Sequence, residues 1–478
     1  MAIRISGLAS GFDTESIIKE AMKGERARVD AVRQQKQILE WKREQYREAN
    51  TKFLALRSSL LNLKLQGTFQ AKTVTSSDPA VLTATAASTT IEGSFSVEVL
   101  RLARGASKES TPVMSEYVHS GEDAEFTLTG KNGSATVTVQ EGDTIQTVVA
   151  KINEQQAATG IKATYDAGLN KFYLFTSGTG DQARIELEDS SGFLANTLNV
   201  DLGTVAGVDA AIRFNGGQEL NFASNRFTFN NINFALLKEG QTVDITVSPD
   251  VDNIVAKIKD FVEKYNAAVG YISEKLGEKR FRDFTPLSDE QKKDMKEKDI
   301  EQWEEKAKSG LLHSDSTLFN LYSMIRNQAS SIVAGADKYS SLSAIGITTS
   351  GWQDQGKLHI DEDKLKTALS DNPEAVMNLF TNTESGTDQG IAVRLYDQVI
   401  DSMQRITNTA GTVSTGVDES SLGRELERVG KRIYTLEERL VEVENRYYRQ
   451  FTAMEQALQQ MNAQSQWLAQ QFASGSTQ

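Results

Sequence analysis

The sequence predicts an α+β multidomain fold in which long terminal α-helices pair as a coiled coil or helical bundle, with β-rich α+β head domains inserted between them. Apolar residues recur at intervals of three and four near both ends of the 478-residue chain. Between residues 72 and about 250, alternation with period two and turn dipeptides replace that pattern. A chain of this length can bury several cores, which favours two to four domains.

The first long helix is predicted from Asp13 to about Leu65, because this stretch contains no proline and a single glycine, Gly24. Its apolar seam keeps one heptad register, but polar residues interrupt it between Glu25 and Lys42. We therefore expect a weak coiled-coil strand followed by a strong one. The seam consists of Ile18, Ala21, Val32, Leu39, Tyr46, Ala49, Phe53, Leu56, Leu60 and Leu63.

The middle of the chain reads as strands with one short helix. "EFTLTGKNGSATVTVQ" predicts a hairpin that turns at Asn132-Gly133, a dipeptide that tolerates positive φ. "GDTIQTVVAKINEQQAATG" predicts a helix that begins near Asp143 or Thr144 and closes at Gly160. A second hairpin, in "IKATYDAGLNKFYLFTS", turns between residues 167 and 170.

Helical periodicity returns at residue 250, where Asp250 or Asp252 is the predicted cap. Residues 278–308 are dense in both charges, and we expect an exposed arm docked by isolated aromatic residues. Further helices are predicted over 316–334 and from about Asp361 to Ser370, with a short hairpin before the latter. The aromatic residues of the arm are Phe281, Phe284 and Trp303.

The last helix has the longest pattern and ends in "RYYRQFTAMEQALQQMNAQSQWLAQQF". At 1.5 Å per residue it is roughly 75 Å long, so it needs a partner helix of similar length. The other long heptad begins at residue 13, so the termini should pair and place Phe53 and Leu60 beside the closing helix. We expect the outer parts of both termini to be loose in the monomer and ordered in an assembly. The seam runs through Leu422, Leu426, Val429, Ile433, Leu436, Leu440, Val443, Tyr447, Phe451, Met454, Leu458, Met461, Leu468 and Phe472.

Composition and charge exclude several classes of protein. The chain has no cysteine, which excludes disulfides and thiolate chemistry, and its three histidines lie far apart in sequence. Residues 76–256 hold 23 acidic and 11 basic side chains, a balance of −12, whereas residues 1–64 hold 13 basic and 8 acidic in an interleaved order. This pattern argues against nucleic-acid binding.

The sequence offers no membrane span, no cleaved signal and no catalytic constellation. No apolar run approaches the roughly 18 residues that a span needs, and the start of the chain lacks a signal-peptide block. "GWQDQGKL" matches seven positions of a phosphate-binding loop, but Leu358 replaces the required Ser or Thr, so we interpret it as a hairpin turn. We expect no catalytic, cofactor or metal site.

Four stretches resemble one family, the bacterial flagellar hook-associated protein 2 or filament cap family. They are "GLASGFDTESII" at the start, "NNINFALLKEGQTVDITVSPDVDNIVAKIKDFVEKYN" in the middle, "LSAIGITTSGWQDQGKLHIDEDKLKTALSDNPEAVMNLF" and the C-terminal stretch quoted above. "GDTIQTVVAKIN" is similar to a segment repeated in flagellins. Residues 105–205 match the family only loosely.

The resemblance implies a leg of paired terminal helices, a helical domain beside it and two head domains that form a cap plate. It implies a pentamer-like ring of copies at the filament tip that holds flagellin while it folds and inserts, next to the hook-filament junction proteins. It also implies export without signal cleavage through the flagellar type III apparatus, with a chaperone on the C-terminal helix. The protein would then be extracellular and non-enzymatic.

These implications divide the chain into four expected domains and name a contact surface. The leg takes residues 1–45 and 436–478, the helical bundle 46–71 and 250–435, the inner head 72–104 and 205–249, and the outer head 105–204. The residues expected to contact other copies or flagellin are Leu8, Phe12, Ile18, Leu39, Tyr46, Phe53, Leu440, Val443, Tyr447, Phe451, Met454, Leu458, Met461, Leu468 and Phe472.

Two other functions stay open at this point. The heads could belong to an adhesin that binds host mucin or other glycans, which is compatible with a cap. A hydrolase acting on cell-wall or filament material is a second competitor, because a pair of carboxylates is enough for a glycosidase.

Overall fold

The computed structural model describes residues 13–113, 116–334, 338–412 and 418–475. The chain divides into two compact units, of which the first combines Met1–Gln66 with Val255–Gln478 and the second is the continuous segment Gly67–Ile254. Most helices belong to the first unit and most strands to the second. The α+β multidomain fold predicted from the sequence is therefore confirmed, with a β-rich segment between two helical stretches of sequence.

The helices and helical turns of the described residues follow in chain order. The α-helices are α1 (Thr14–Ala21), α2 (Lys23–Lys64), α3 (Gln66–Phe69), α4 (Ile145–Glu154), α5 (Gln156–Thr159), α6 (Val251–Gly277), α7 (Asp289–Lys293), α8 (Glu297–Lys308), α9 (Ser316–Ala329), α10 (Glu362–Asp371), α11 (Pro373–Thr381), α12 (Ile391–Ala410) and α13 (Ser421–Gly475). A π-helical turn spans Phe193–Thr197, and 3₁₀ turns span Leu342–Ile345, Trp352–Asp354 and Gly386–Asp388.

The strands form small antiparallel sheets. They are β1 (Lys72–Ser76), β2 (Leu82–Ala86), β3 (Gly93–Arg101), β4 (Ser107–Glu109), β5 (Ala124–Thr129), β6 (Ser134–Val139), β7 (Ile161–Asp166), β8 (Lys171–Thr176), β9 (Arg184–Glu188), β10 (Val205–Ala206), β11 (Ala210–Phe214), β12 (Glu219–Phe222), β13 (Arg226–Phe229), β14 (Ile232–Leu236), β15 (Gln241–Pro249), β16 (Ile347–Thr349) and β17 (Leu358–Ile360).

In the first unit, α2 is the common neighbour of the other long helices. It packs against α12 over one part of its length and against α13 over another, and α12 in turn packs against α9 and α11. Helix α12 is strongly amphipathic, because its buried residues recur every three or four positions along one face. Those residues include Ile391, Leu395, Val399, Ser402, Ile406 and Ala410.

The second unit contains two hydrophobic cores. Strands β1-β15-β3-β11-β12 form one sheet and β13-β14-β2 another, and both contribute to a core that includes Val97, Ile212 and Phe234. The other core includes Phe126, Val148 and Phe172, and is built from the sheets β10-β9-β5-β6 and β4-β8-β7 with helix α4. The core that includes Val97, Ile212 and Phe234 is built from residues that come before and after the other core in the sequence.

Most predicted elements outside the termini are confirmed. The side chain of Thr144 caps α4, Gly160 takes the left-handed conformation with φ 76° at the end of α5, and Asp250 and Asp361 accept hydrogen bonds from the first turns of α6 and α10. Strands β16 and β17 form the predicted hairpin around "GWQDQGKL". The rest of this stretch therefore serves as a turn.

The β5–β6 hairpin exists, but its turn differs from the prediction. The strands stop at Thr129 and Ser134, which leaves a four-residue loop in which Gly133 has φ 145°. Asn132 is not in the left-handed region, and its side-chain amide donates to the carbonyl of Ala157 at 3.3 Å. The longer loop lets the hairpin contact the end of α5.

The charged stretch 278–308 is docked by its aromatic residues, as predicted. Phe284 packs beside a small buried cluster formed by Trp41, Ala307 and Leu311. The ring of Trp303 lies 4.6 Å from that of Phe284, and its indole N–H donates to the carbonyl of Thr285 at 2.8 Å. Trp41 on α2, which the sequence analysis did not single out, is the anchor of the arm.

Candidate functional site: the paired terminal helices

The two ends of the chain pair as antiparallel helices. Ile18 and Met22 share a buried cluster with Val443, and Arg33 forms an ion pair with Glu437 at 2.5 Å. Further along α2, Arg47 lies 3.2 Å from Asp418. Residue numbers rise along α1 and α2 while those of their partners fall, so the helices run in opposite directions. The predicted pairing of the termini is therefore confirmed.

The contact at the start of α1 is made by large apolar side chains on both helices. Met22 is fully buried and Ile18 nearly so. Facing them are half-buried residues of α13, because a two-helix pair covers only one side of each helix. They are Leu440, Tyr447, Tyr448 and Phe451. This cluster therefore joins the start of the chain's first helix to α13 through apolar contacts.

Capping fixes where this helix pair begins. The carboxylate of Asp13 accepts hydrogen bonds from the backbone N–H and the hydroxyl of Ser16, at 3.1 and 2.7 Å. These hydrogen bonds lower the pKa of Asp13. The N-cap predicted at Asp13 is confirmed, and it allows α1 to start opposite the region of α13 near Phe451.

Charged groups hold the other end of the pair. Arg47 donates to the carbonyls of Ala410 and Thr412 and pairs with Asp418, so one guanidinium joins the end of α12 to the start of α13. Arg43 lies 3.6 Å from the same carboxylate. Burial opposes ionisation of Asp418, but hydrogen bonds from Ser420 and the charges of Arg47 and Arg43 outweigh it and lower its pKa. We call Arg43, Arg47 and Asp418 the Asp418 clasp.

Six of the predicted contact residues lie within the helix pair. Leu39 is buried on the part of α2 between the two ion-pair positions, Arg33 and Arg47. The other five belong to the apolar cluster described above: Ile18, Leu440, Val443, Tyr447 and Phe451. The seam prediction needs one change on α1, because Ala21 is exposed and Met22 takes the buried position.

Four predicted contact residues lie beyond Phe451, where α13 continues past the start of α1. Met454, Met461 and Leu468 are 40%, 57% and 47% exposed, and Leu458 is half-buried. We call these four residues the distal stripe. At 100° per residue they fall within about 80° of one another around the helix. Leu8, Phe12 and the side chain of Phe472 lie outside the described residues.

Tyr46 and Phe53 were expected to contact other copies or flagellin, but both side chains are buried within the chain. The hydroxyl of Tyr46 donates to Asp315 at 2.6 Å, and burial followed by that carboxylate raises the pKa of Tyr46. Phe53 is fully buried on the part of α2 that runs beside α12, where Lys64 pairs with Asp397. Both residues serve the helical bundle.

The expectation that Phe53 and Leu60 face the closing helix is therefore wrong. Helix α13 begins only at Ser421, opposite Arg47, so the later half of α2 has passed its end. Helix α12 covers that half. Sequence reasoning missed α12, although the spacing of Ile391, Leu395 and Val399 carries the signal of an amphipathic helix.

A metal site and a membrane-spanning helix were also looked for among the described residues. They contain no group of three or more His, Asp or Glu side chains placed to hold a metal ion. Of the helices in the described ranges, none combines the length and the apolar character that crossing a membrane would require.

Comparison with known protein families identifies the chain. A family model described as the C-terminus of flagellar hook-associated protein 2 matches residues 207–463, and one for its N-terminus matches residues 10–106. A third, the flagellin hook IN motif, matches residues 125–178 and includes the stretch noted as similar to flagellins. The chain belongs to the flagellar hook-associated protein 2 family.

Individual relatives agree over nearly the full length. Flagellar hook-associated protein 2 of Halalkalibacterium halodurans is 29% identical, with 98% of this chain and 100% of the relative covered. The A-type protein of Pseudomonas aeruginosa is 26% identical, with 98% and 97% covered. The chain thus spans the whole length of the first relative and nearly all of the second.

A solved structure shows the same fold. The crystal structure of the D1-D2-D3 domains of the flagellar cap protein FliD from Escherichia coli has a TM-score of 0.56 and 20% identity, and covers 80% of this chain and 99% of that chain. The family is one of structural flagellar proteins and not a known enzyme family. None of the relatives named here is described as an adhesin, so the adhesin alternative gains no support.

Proposed function

We propose that this chain caps the flagellar filament: copies assemble at the tip, promote the folding and insertion of flagellin, and prevent its loss. Family membership supports this function, and the structural relative from Escherichia coli is itself a flagellar cap protein. The paired terminal helices act as the leg that reaches other subunits. The proposal includes a pentamer-like ring, an extracellular location at the filament tip and no enzymatic activity.

The distal stripe is the observation that carries the proposal. Met454, Met461 and Leu468 are large apolar side chains that stand exposed on a helix otherwise rich in Gln, Asn and Ala. Contiguous exposed apolar surface of this kind is typical of an interaction site. A helix can bury such a stripe against another helix, so other copies, flagellin or hook-filament junction proteins cover it in the assembly.

The same surface accounts for the other proposed partners. Before assembly an exposed apolar helix invites aggregation, so an export chaperone covers α13 until the chain leaves the cell. The chain is exported without cleavage of a signal peptide. Host mucin is not part of the proposed function, because no described contact or charge pattern of the heads favours it.

A pair of charged substitutions in the distal stripe tests the proposal. The variant Leu458→Glu with Leu468→Glu places two carboxylates on the apolar face, and their desolvation would block burial against a partner. We expect cells that carry this variant as their only copy to grow no filaments and to lose swimming. The fold of residues 76–256 should be unchanged by circular dichroism of the secreted protein.

A matched control carries the same charges on the opposite face of the same helix. Gln459 and Gln466 are exposed and lie about 120° or more from the centre of the distal stripe around the helix axis. The variant Gln459→Glu with Gln466→Glu should therefore swim normally. Normal filaments from the Leu458 and Leu468 variant would overturn the assignment of the distal stripe.

A further inference from the structure

Two pockets of opposite charge flank the docked arm in the first unit. The acidic pocket, of about 430 Å³, is lined by Glu44, Glu48, Glu274, Glu278 and Glu305, beside Lys275 and Lys308. The basic pocket, of about 300 Å³, is lined by Lys42, Arg280, Arg282 and His313. Both pockets border α2, and the anchor formed by Trp41, Ala307 and Leu311 lies at the same part of the helix. The chain therefore presents opposite charges on one compact unit.

The acidic pocket keeps most of its charge. Five carboxylates against two ammonium groups leave a balance of −3. Lys275 pairs with Glu278 at 2.5 Å, whereas the ammonium of Lys308 lies 5.1 Å from the centre of the Trp41 ring. In the described part of the chain, Glu44, Glu274 and Glu305 take part in no ion pair. These carboxylates are exposed and available to a cationic partner.

The positive charge of the basic pocket is also not balanced by carboxylates among its lining residues. Arg280 donates to the carbonyls of Ala307 and Ser309, at 2.7 and 3.0 Å, and these acceptors carry no net charge. Burial and then the neighbouring charge of Arg282 lower the pKa of Arg280, and both residues line this pocket. With Lys42, the pocket holds a balance of +3 and no lining carboxylate.

The two pockets open in different directions from α2. At 100° per residue, Lys42 lies about 160° from Glu44 and about 120° from Glu48 around the helix axis. One chain cannot bring these surfaces together, because both belong to the same rigid helix. Two chains can do so, each offering one pocket to the next.

We infer that the acidic pocket of one copy binds the surface around the basic pocket of a second copy, in a head-to-tail contact. The inference rests on the proposed function in one respect, that copies of the chain associate. Equal and opposite charge balances make the two surfaces of neighbouring copies complementary, and head-to-tail contacts close into rings when the rotation between copies allows it. The charges set register and order, while apolar surface supplies most of the affinity.

Cysteine cross-linking tests this contact with a low background, because the natural chain has no cysteine. One full-length variant carries Asp283→Cys beside the basic pocket, and a differently tagged variant carries Glu305→Cys in the acidic pocket. Under mild oxidation we expect disulfide-linked heterodimers in the mixture and at least about tenfold fewer dimers from either variant alone. Asp401→Cys, an exposed position on α12, replaces Asp283→Cys in the control mixture.

Reversing the charges of each pocket provides a second test of the contact. Glu44→Lys with Glu274→Lys makes both pockets basic, and Lys42→Glu with Arg282→Glu makes both acidic. In each cross-linking background, either reversal alone should lower heterodimer yield at least about tenfold, and combining the two reversals in one chain should restore it. Reversal of Asp299 and Glu301, exposed residues on the arm outside the pockets, should change nothing.

The outcomes separate this inference from the proposed function. Heterodimers that survive single-sided reversal, or that form equally well with Asp401→Cys, would overturn the head-to-tail contact. A 1:1 mixture of the two single-sided reversals must also cross-link, since each then meets a complementary neighbour. Failure of that mixture, with both variants folded by circular dichroism, would overturn the contact. If the unaltered chain could not restore filament growth to cells that lack it, the proposed function itself would fall.

Discussion

Asp418 shows how one side chain can order several helices. Its carboxylate forms ion pairs with Arg43 and Arg47 on α2 and accepts a hydrogen bond from the backbone N–H of Ser420 at 3.1 Å. Two glycines leave room for it, because a Cβ at Gly411 or Gly423 would come within 2.3 Å of atoms of Asp418. Such enclosure keeps the carboxylate in one position between the end of α12 and the start of α13.

Replacing this carboxylate should loosen the start of α13 in a pH-dependent way. Asp418→Asn removes the charge, and we expect a loss of roughly 1–2 kcal/mol in local unfolding free energy at pH 7. The pKa of Asp418 is lowered in the folded chain, so its contribution is present above a pH of about 4 and disappears as pH falls through the folded pKa. Hydrogen exchange of amides 424–430 would measure the gap between wild type and variant.

The control for this prediction lies on the same helix. Glu427 pairs with Lys431 at 2.6 Å, but both side chains are exposed. Glu427→Gln should therefore leave exchange of the same amides nearly unchanged at every pH. A gap between wild type and Asp418→Asn that persists undiminished at pH 3 would contradict the role of the charge.

The Asp418 clasp could not be predicted from sequence. A heptad pattern reports which side chains are buried, and nine of the ten seam residues predicted between Ile18 and Leu63 are buried. It does not report which helix covers them. Whether Arg47 meets an acid from α13, α12 or elsewhere depends on where α13 starts, and no local propensity of the sequence fixes that position.

At the scale of elements, α2 divides its seam between partners. Its earlier half pairs with α13 and its later half with α12. From the sequence, the whole seam was expected to face α13, because a helix of that length needs a partner of similar length. The shorter helix α12, which covers the later half, was not predicted. When two amphipathic helices can cover one seam, the sequence pattern predicts which residues are buried but not which helix covers them.

Helix α13 changes its spacing where it leaves its partner. Leu440, Val443, Tyr447, Phe451 and Met454 are separated by three, four, four and three residues. Two successive intervals of four interrupt the heptad and locally relax the left-handed supercoil. At 100° per residue the distal stripe therefore continues on nearly the same face of α13 as Leu440, Val443 and Tyr447, beyond the start of α1.

Two glycines on α13 give a matched test of its packing. A Cβ at Gly423 would lie 2.3 Å from the carbonyl oxygen of Asp418, whereas none of the surrounding atoms comes within 4 Å of one at Gly430. Gly430→Ala should stabilise the first unit by about 0.5–1 kcal/mol through helix propensity alone. Gly423→Ala should destabilise it, because the junction would have to shift.

Urea unfolding followed by circular dichroism at 222 nm would measure both changes. Each variant adds one methyl group to the same helix, so changes of opposite sign in the free energy of unfolding would reflect the different surroundings of the two glycines. Equal stabilisation by both alanines would show that the start of α13 is not held against Asp418.

At the scale of the whole molecule, the β-rich segment should be an independent folding unit. It is a single continuous stretch, Gly67–Ile254, with its own cores, and β1 pairs with β15 in the register Lys72↔Pro249. We expect a fragment of residues 67–254 to be soluble and to unfold cooperatively on heating. Thermal unfolding by circular dichroism and dispersed amide resonances would show it.

The matched control is a fragment that stops at residue 240 and so lacks β15. This strand lies between β1 and β3 in the sheet, and the core that includes Val243 and Ile245 would lose both side chains. The shorter fragment should lose its inner core and aggregate. If the longer fragment aggregates as readily, the second unit depends on the helices after all.

Sequence reasoning went furthest at this scale. Alternation with period two against periodicity of 3.6 is a robust signal, so the change from helix to strand near residue 72 and back near residue 250 agrees with β1 and α6. Turn geometry was harder: in the β5–β6 loop, Asn132 bonds to Ala157, a residue 25 positions away. Long-range contacts decide such details, and local pattern does not contain them.

The position of β15 between β1 and β3 has a consequence for the order of folding. Any chain that emerges from its N-terminus delivers β1 and β3 long before the strand that joins them. Until residue 249 has emerged, the edges of β1 and β3 that pair with β15 stay open, and the core that includes Val97 and Ile245 cannot form. The late arrival of β15 would keep this sheet open until nearly all of the segment has emerged, whereas the core that includes Phe126 and Phe172 uses only residues that precede it.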